Sequence, residues 1–286
     1  MIISASRRTD IPNYYAAWFL RRLQQQYVLI RNPLNRRQVA RVELSPEVVD
    51  CIVFWTKNPE PFIPYLPCLQ EYCYYFLFTL NSYEKDIEPN LPSLPKRIET
   101  FKKLAATLGA PRVIWRYDPI LINEKYTAEF HLKSFAFLAE QLKDSTEKCV
   151  ISFLDFYQKI ASNVQELGIK PLAPHQKYSL AGGLLQVARS FGLQLASCAE
   201  SPELGAMGLN KASCIDAELI ARIGGYTLQV RKDQNQRQEC GCAESIDIGA
   251  YNTCLSGCKY CYANYSLNSV RRNVREYCVD SPLLCS

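Results

Sequence analysis

The sequence predicts an α/β fold with a largely parallel sheet, arranged as a (β/α) barrel. Three observations predict it. Short apolar runs alternate with amphipathic helical stretches, eight such runs read as core strands, and several end in polar residues followed by proline.

The runs cover residues 2–5, 27–30, 51–55, 74–80, 113–117, 149–154, 193–198 and 246–251. Most are nearly continuous in apolar residues, as strands covered on both faces should be. Residues 39–44 alternate polar and apolar and pair naturally with 27–30 as a hairpin. Between the strands, Ile98, Phe101, Leu104, Ala105 and Leu108 share one helical face, stopped by Gly109. Phe130, Phe135, Leu138, Ala139 and Leu142 make a second face, in the stretch that also holds His131, a structural histidine. Leu180, Leu184, Val187, Ala188 and Phe191 make a third, stopped by Gly192. A last helix is expected over 262–277. No low-complexity linker or internal repeat divides the chain, so one domain is expected over 1–286, a barrel body (1–236) followed by a cysteine-rich segment (237–286).

The strand exits "SRRTDIP", "IRNP", "WTKNP" and "WRYDP" share a pattern. Proline lacks a ladder donor and ends the strand, leaving the preceding polar residues at the C-terminal rim where parallel sheets place their sites. That rim would carry Arg7, Arg8, Asp10, Arg31, Asn32, Lys57, Asn58, Arg116, Asp118, Asp155 and Glu200. Any one of these could equally be a charge pair capping the rim; as a set they describe a lined pocket.

Composition narrows the function. With 48% hydrophobic residues the chain has a substantial core, and no apolar run approaches a membrane span or a secretory signal, so a cytoplasmic protein is expected. A net charge of +5 favours anionic small molecules or nucleic acid only mildly. The basic clusters Arg7–Arg8, Arg36/Arg37/Arg41 and Arg271/Arg272/Arg275 also read as solvated faces. Two histidines, far from any partner, argue against Ser-His-Asp triads and mixed Cys/His zinc fingers.

Thirteen cysteines, an odd number with no export signal, point to metal or redox chemistry. Cys51, Cys68, Cys73 and Cys149 sit in apolar surroundings and read as small buried hydrophobes. Cys254, Cys258 and Cys261, in "YNTCLSGCKYCYANYS", stand at gaps of three and two residues, after the last strand and before the last helix. Three thiolates so spaced can hold a 4Fe–4S cluster and leave its fourth iron open. Cys240 and Cys242 form "CGC", with Cys198 and Cys214 upstream in "SCAES" and "SCID". These four could build a second cluster or a zinc site, or be buried thiols; alternatively Cys240 or Cys242 closes the first cluster.

The spacing, with an aromatic at Tyr260 before the last cysteine, resembles the radical S-adenosylmethionine superfamily, and "GCKYCYA" is especially similar to the spore photoproduct lyase motif. The resemblance implies that Cys254, Cys258 and Cys261 ligate a 4Fe–4S cluster, that Tyr260 approaches the adenine, and that the cofactor is cleaved to a 5′-deoxyadenosyl radical. It also implies a one-electron reductant such as ferredoxin or flavodoxin. From "SASRRTDIP" through "FWTKNP", "WRYDP" and "CGC" to the final cysteines, nearly the whole chain resembles the uncharacterised bacterial family DUF1848. In the superfamily the cysteine loop follows the first barrel strand, whereas here it follows the last; a permutation would place 246–251 beside 2–5 and the loop over Arg7, Arg8 and Asp10. The glycine-rich GGE-type element of the superfamily is not found, since "AGGLL" (181–185) lies in a helix pattern and lacks the acidic residue.

The leading expectation is therefore a radical S-adenosylmethionine-type enzyme acting on a small anionic substrate or nucleic acid. Its candidate catalytic residues are Arg7, Arg8, Asp10, Arg116 and Asp118. Arg31 and Lys57 would also hold anionic groups, and Glu200 hydroxyls or amines. Two other readings stand beside it: a zinc-stapled barrel that binds nucleic acid without catalysis, and an electron carrier or redox sensor with a fully ligated cluster.

Overall fold

All pairings in the main sheet are parallel, and they take strands from almost the whole chain. The computed structural model describes residues 1–35, 37–198, 200, 203–237 and 239–285; Arg36, in one of the basic clusters, lies outside the described residues. The strands are β1 (Ile2–Ala5), β2 (Tyr27–Arg31), β3 (Val39–Glu43), β4 (Cys51–Thr56), β5 (Tyr74–Thr79), β6 (Val113–Ile120), β7 (Lys148–Phe153), β8 (Gln194–Ser197), β9 (Asn210–Lys211) and β10 (Ile246–Asp247). Eight of them form one sheet in the order β10-β1-β4-β5-β6-β7-β8-β9. The helices are α1 (Ile11–Tyr14), α2 (Ala16–Gln25), α3 (Leu94–Leu108), α4 (Ala128–Leu142), α5 (Ala161–Glu166), α6 (Pro174–Ser190), α7 (Glu203–Ala206), α8 (Ala217–Gly224) and α9 (Leu267–Arg275).

The period of two along each strand sends alternate residues into two separate cores. On one face Ile52 and Phe54, Phe76 and Phe78, Trp115 and Tyr117, and Ile151 and Phe153 pack with the apolar stripes of α2, α3, α4 and α6. On the other, Ile2, Cys51, Val53, Tyr75, Leu77, Ile114, Val150 and Ala196 meet Ile215, Leu219, Ile220, Cys240, Cys242 and Ala243. The chain from 212 to 243 thus fills the second face. This double burial is why the strands read as unbroken apolar runs.

Two expectations need correction. Residues 27–30 do pair with β3 in an antiparallel hairpin, but that hairpin is a separate sheet. The eighth strand of the main sheet is β9, two exposed polar residues with no apolar signature. The sheet is also not a closed barrel among the described residues: β9 and β10 are its edges. The segment between them forms the helix α8 and then turns rich in arginine, glutamine and glycine, and supplies single bonds instead of strands, such as Ala212 N–H to Ser197 O (2.8 Å) and Ala243 N–H to Ile215 O (3.0 Å). The expected last strand, 246–251, shortens to β10, and residues 181–185 lie inside α6. Among the described residues no helix is long and apolar enough to cross a membrane.

All thirteen cysteines are free thiols. Cys51 and Cys149 are buried in strands and Cys73 is half-buried, but Cys68 is exposed. His131 is structural: its ring nitrogens bond Tyr117 Oη and Leu121 O, each at 2.8 Å, and it is fully buried. Burial lowers its pKa to about 4, below the 6.5 of an unfolded histidine. A histidine depressed in the folded state takes up its proton on unfolding, so its contribution to stability is present above pH 6.5 and lost as pH falls toward 4. Chemical denaturation from pH 7 to 4 should show a loss on the order of 3 kcal/mol from this group, and His131→Gln should flatten that part of the profile.

Candidate functional site

The rim is organised around Asp247, where β10 meets β1. Ile3 is opposite Ile246 and Ser4 opposite Asp247. The Asp247 carboxylate accepts from Ser4 Oγ (3.1 Å), Ser6 Oγ (2.6 Å), Arg7 N–H (2.8 Å) and Gly249 N–H (3.0 Å). One buried side chain therefore ties the loop after β1 to the loop after β10. The two loops touch so closely that a Cβ on Gly249 would lie 2.0 Å from Ser6 Oγ.

The cysteine loop follows at once and is pinned from every side. Tyr15 Oη donates to Thr253 O (2.6 Å), and Tyr14 Oη is hydrogen-bonded to Ser256 Oγ (3.2 Å). Asn90 donates to Leu255 O (2.8 Å) and Asn163 to Lys259 O (2.7 Å). Lys259 N–H donates to Ile87 O (3.0 Å), and Tyr262 Oη to Arg7 O (3.2 Å). Asn252, in the left-handed region at φ 55°, accepts from the N–H groups of Tyr265 and Ser266 and returns the chain on itself. The sequence placed 246–251 beside 2–5 and the loop over Arg7, Arg8 and Asp10; β10 does pair with β1, and the loop meets the chain at Arg7 through Tyr262.

Burial pushes the thiol of Cys254 up to about 12, that of Cys258 well above its ordinary value, and raises Cys261. Thiolates there need a compensating cation. Partial compensation is built in: Cys254 Sγ is hydrogen-bonded to Ser256 Oγ (3.4 Å), backbone amides of the loop favour the thiolate at Cys261, and the Lys57 charge favours it at Cys258 and Cys261. Among the described residues no three Cys, His, Asp or Glu side chains surround a point as ligands of a single ion would. A cubane makes a different demand, because each thiolate binds a different iron and the donors stand off separate corners. In donor chemistry the three half-buried thiols suit a cluster.

Tyr260 is buried with its hydroxyl donating to Glu88, and Lys57 Nζ lies 5.1 Å from its ring centroid. Glu88 is the centre of a buried network that sequence reasoning missed. It pairs with Lys57 Nζ at 3.0 Å and with Arg97 Nη1 at 3.1 Å. Burial opposes its charge, yet Lys57 and Arg97 hold it below the usual carboxylate range. Glu88 lies in the long 81–93 connection and Arg97 in α3, neither at a strand exit, so no local signal marked them.

The remaining rim residues divide. Asp10 caps α1 by accepting from Asn13 N–H (3.1 Å) and also accepts from Lys57 N–H (2.8 Å); burial raises its pKa to about 6. Asn58 donates to Asn13 Oδ1 (3.0 Å). Arg7 and Arg116 each place a guanidinium against Trp55, 5.2 and 5.1 Å from the ring centroid, and Arg8 lies 5.2 Å from that of Tyr251. Arg116 pairs with Asp118, which also accepts from Ser152 Oγ. Burial works against the Asp118 charge, but Arg116 and Ser152 keep its pKa low. Asp155 pairs with Arg237 at 2.7 Å, and Glu200 accepts from Phe153 N–H (2.8 Å). Arg31 and Asn32 are not part of this rim, because their strand belongs to the hairpin. Cys198, Cys214, Cys240 and Cys242 come together in the second core, behind Arg7 and Arg116.

These features define an α/β protein with an open parallel sheet and a cysteine loop fixed across one end of it. A family model described as "Domain of unknown function (DUF1848)" matches residues 2–263, and the chain belongs to that family. The match runs from β1 through all three cysteines of the loop. No curated protein matches the chain.

Two substitutions test this construction. Glu88→Ala would leave Lys57 and Arg97 buried without their counter-charge, and urea denaturation should show a loss of about 3–5 kcal/mol. Gly249→Ala must force the loops of β1 and β10 apart, at a cost of about 1–3 kcal/mol in the same measurement.

Proposed function

We propose that this protein is an iron–sulfur enzyme of the radical S-adenosylmethionine type, with Cys254, Cys258 and Cys261 holding a 4Fe–4S cluster. The observation that carries the reading is the loop itself: three half-buried thiols at the activating spacing, with Lys57 beside two of them, at the C-terminal end of a strand paired with β1. When bound, such a cluster supplies one electron to S-adenosylmethionine, whose cleavage gives a carbon radical able to take a hydrogen atom from a substrate. A one-electron reductant of the ferredoxin or flavodoxin kind would serve it.

The chain's own residues then have defined tasks. Lys57, held by Glu88 and stacked on Tyr260, offsets negative charge beside Cys258 and Cys261. Cys240 and Cys242 pack with Cys214 in the second core, away from the cysteine loop, which favours a fourth iron left free of protein thiolate. Arg7 Nη2 and Trp55 Nε1 are buried donors without a hydrogen-bond partner. Buried donors left bare are costly, and a carboxylate or phosphate oxygen of a substrate would satisfy both. This favours a small anionic substrate, oriented by Arg7 with Arg8 at the outer edge.

The test is anaerobic reconstitution followed by EPR of the reduced protein with and without S-adenosylmethionine. The cluster signal should shift when the cofactor is added, and Cys254→Ala, Cys258→Ala or Cys261→Ala should each abolish the shifting species. A cluster signal indifferent to the cofactor would overturn the radical reading. Zinc bound by these three thiols in place of iron would overturn the cluster as well.

A further inference from the structure

Four thiols on the second face of the sheet are unused by the proposed function. Cys198 follows β8, Cys214 follows β9, and Cys240 and Cys242 precede β10. Backbone bonds bring these three segments together. Ala212 N–H donates to Ser197 O (2.8 Å) and Ala243 N–H to Ile215 O (3.0 Å), while Ser213 Oγ donates to Gly241 O (2.8 Å). Cys198 Sγ then lies 3.5 Å from Cys214 Sγ. Cys214, Cys240 and Cys242 pack in one buried cluster. Cys214, Cys240 and Cys242 are 2, 6 and 3% exposed.

Apolar packing alone does not account for what surrounds them. The Arg116 guanidinium donates to Cys214 Sγ, and Ile215 N–H donates to Cys242 Sγ (3.4 Å). Arg7 approaches the same thiols from the rim. A neutral thiol is a weak acceptor, and burying guanidinium and amide donors against it is poor compensation; a metal-bound thiolate is an anionic acceptor that repays them.

We propose that Cys198, Cys214, Cys240 and Cys242 form a second, closed metal centre of four thiolates, taking a zinc ion or an iron–sulfur cluster. Tetrahedral coordination with Zn–S near 2.3 Å sets neighbouring sulfurs about 3.8 Å apart, close to the Cys198–Cys214 separation. Among the described residues the thiols do not enclose a single-ion point, so binding would require their side chains to rotate inward. A cleft of ≈ 550 Å³ lined by Ser213, Ile215, Lys232, Gly241 and Cys242 gives the metal its way in. Filled, the centre would staple the chain from β8 to the segment before β10, across the gap that hydrogen bonding leaves open.

The experiment uses the full chain carrying Cys254→Ala, Cys258→Ala and Cys261→Ala together, so that the first centre cannot contribute. Purified without oxygen from medium supplied with zinc and iron, it should retain either zinc or iron with matching sulfide. X-ray absorption should show a shell of sulfur alone. Adding Cys240→Ser and Cys242→Ser should remove the metal. If that variant does not fold, the absorption shell of the parent decides. Absence of zinc, iron and sulfide from the parent after reconstitution, a shell containing nitrogen or oxygen, or a Cys198–Cys214 disulfide in its peptide map would each overturn the proposal. The first centre is judged separately, by the EPR response of the unaltered protein to S-adenosylmethionine.

Discussion

Everything at the rim depends on the pairing of the last strand with the first. β10 is only two residues long and could not hold its place by ladder bonds alone. Asp247 makes the difference. Its carboxylate gathers two hydroxyls and two backbone N–H groups, three of the four from the β1 strand and loop, and bonds to a charged acceptor are roughly twice as strong as neutral ones. Release of this carboxylate would loosen the joint between the β1 loop and the start of the cysteine loop. The loop's late position in the sequence thus carries no structural penalty, because the sheet brings the end of the chain back to its beginning.

A second constraint is the filling of both faces. Helices cover one side as in any parallel sheet, but the other is closed by residues 212–243, a stretch that follows the two-residue edge strand β9 and whose described residues form only one short helix, α8. Such a stretch has many backbone groups to satisfy. It does so through isolated bonds to strand ends and to itself, including the single bridge between Lys232 and Ala243. This explains why three cysteines, Cys214, Cys240 and Cys242, can be buried there without being part of any regular element.

Buried charge at the site serves orientation more than stability. The Lys57–Glu88–Arg97 group loses most of its hydration, and a buried pair often gains little over an apolar substitute. What it does is fix direction: Lys57 faces the cysteine loop, and Tyr260 is held by its hydroxyl. Arg116 is fixed in the same way by Asp118, which Ser152 steadies in turn. Both arginines on Trp55 are therefore presented in one orientation toward the rim and the thiols.

The sequence by itself determined the periodic parts. Continuous apolar runs marked seven strands of the main sheet, helical stripes marked α3, α4 and α6, and the cysteine spacing marked the loop, because each of these is a local property of side-chain size, polarity and order. "IRNP" shows the limit. It carries the same local signal as "WRYDP", yet Arg31 and Asn32 belong to a separate hairpin, since which sheet a strand joins is settled by partners far along the chain. Only the tertiary structure decided that β9 completes the sheet, that the sheet stays open at β9 and β10, that Glu88 and Arg97 stand behind Lys57, and that four scattered cysteines meet. Those facts rest on long-range pairing and burial, which no short stretch of sequence encodes.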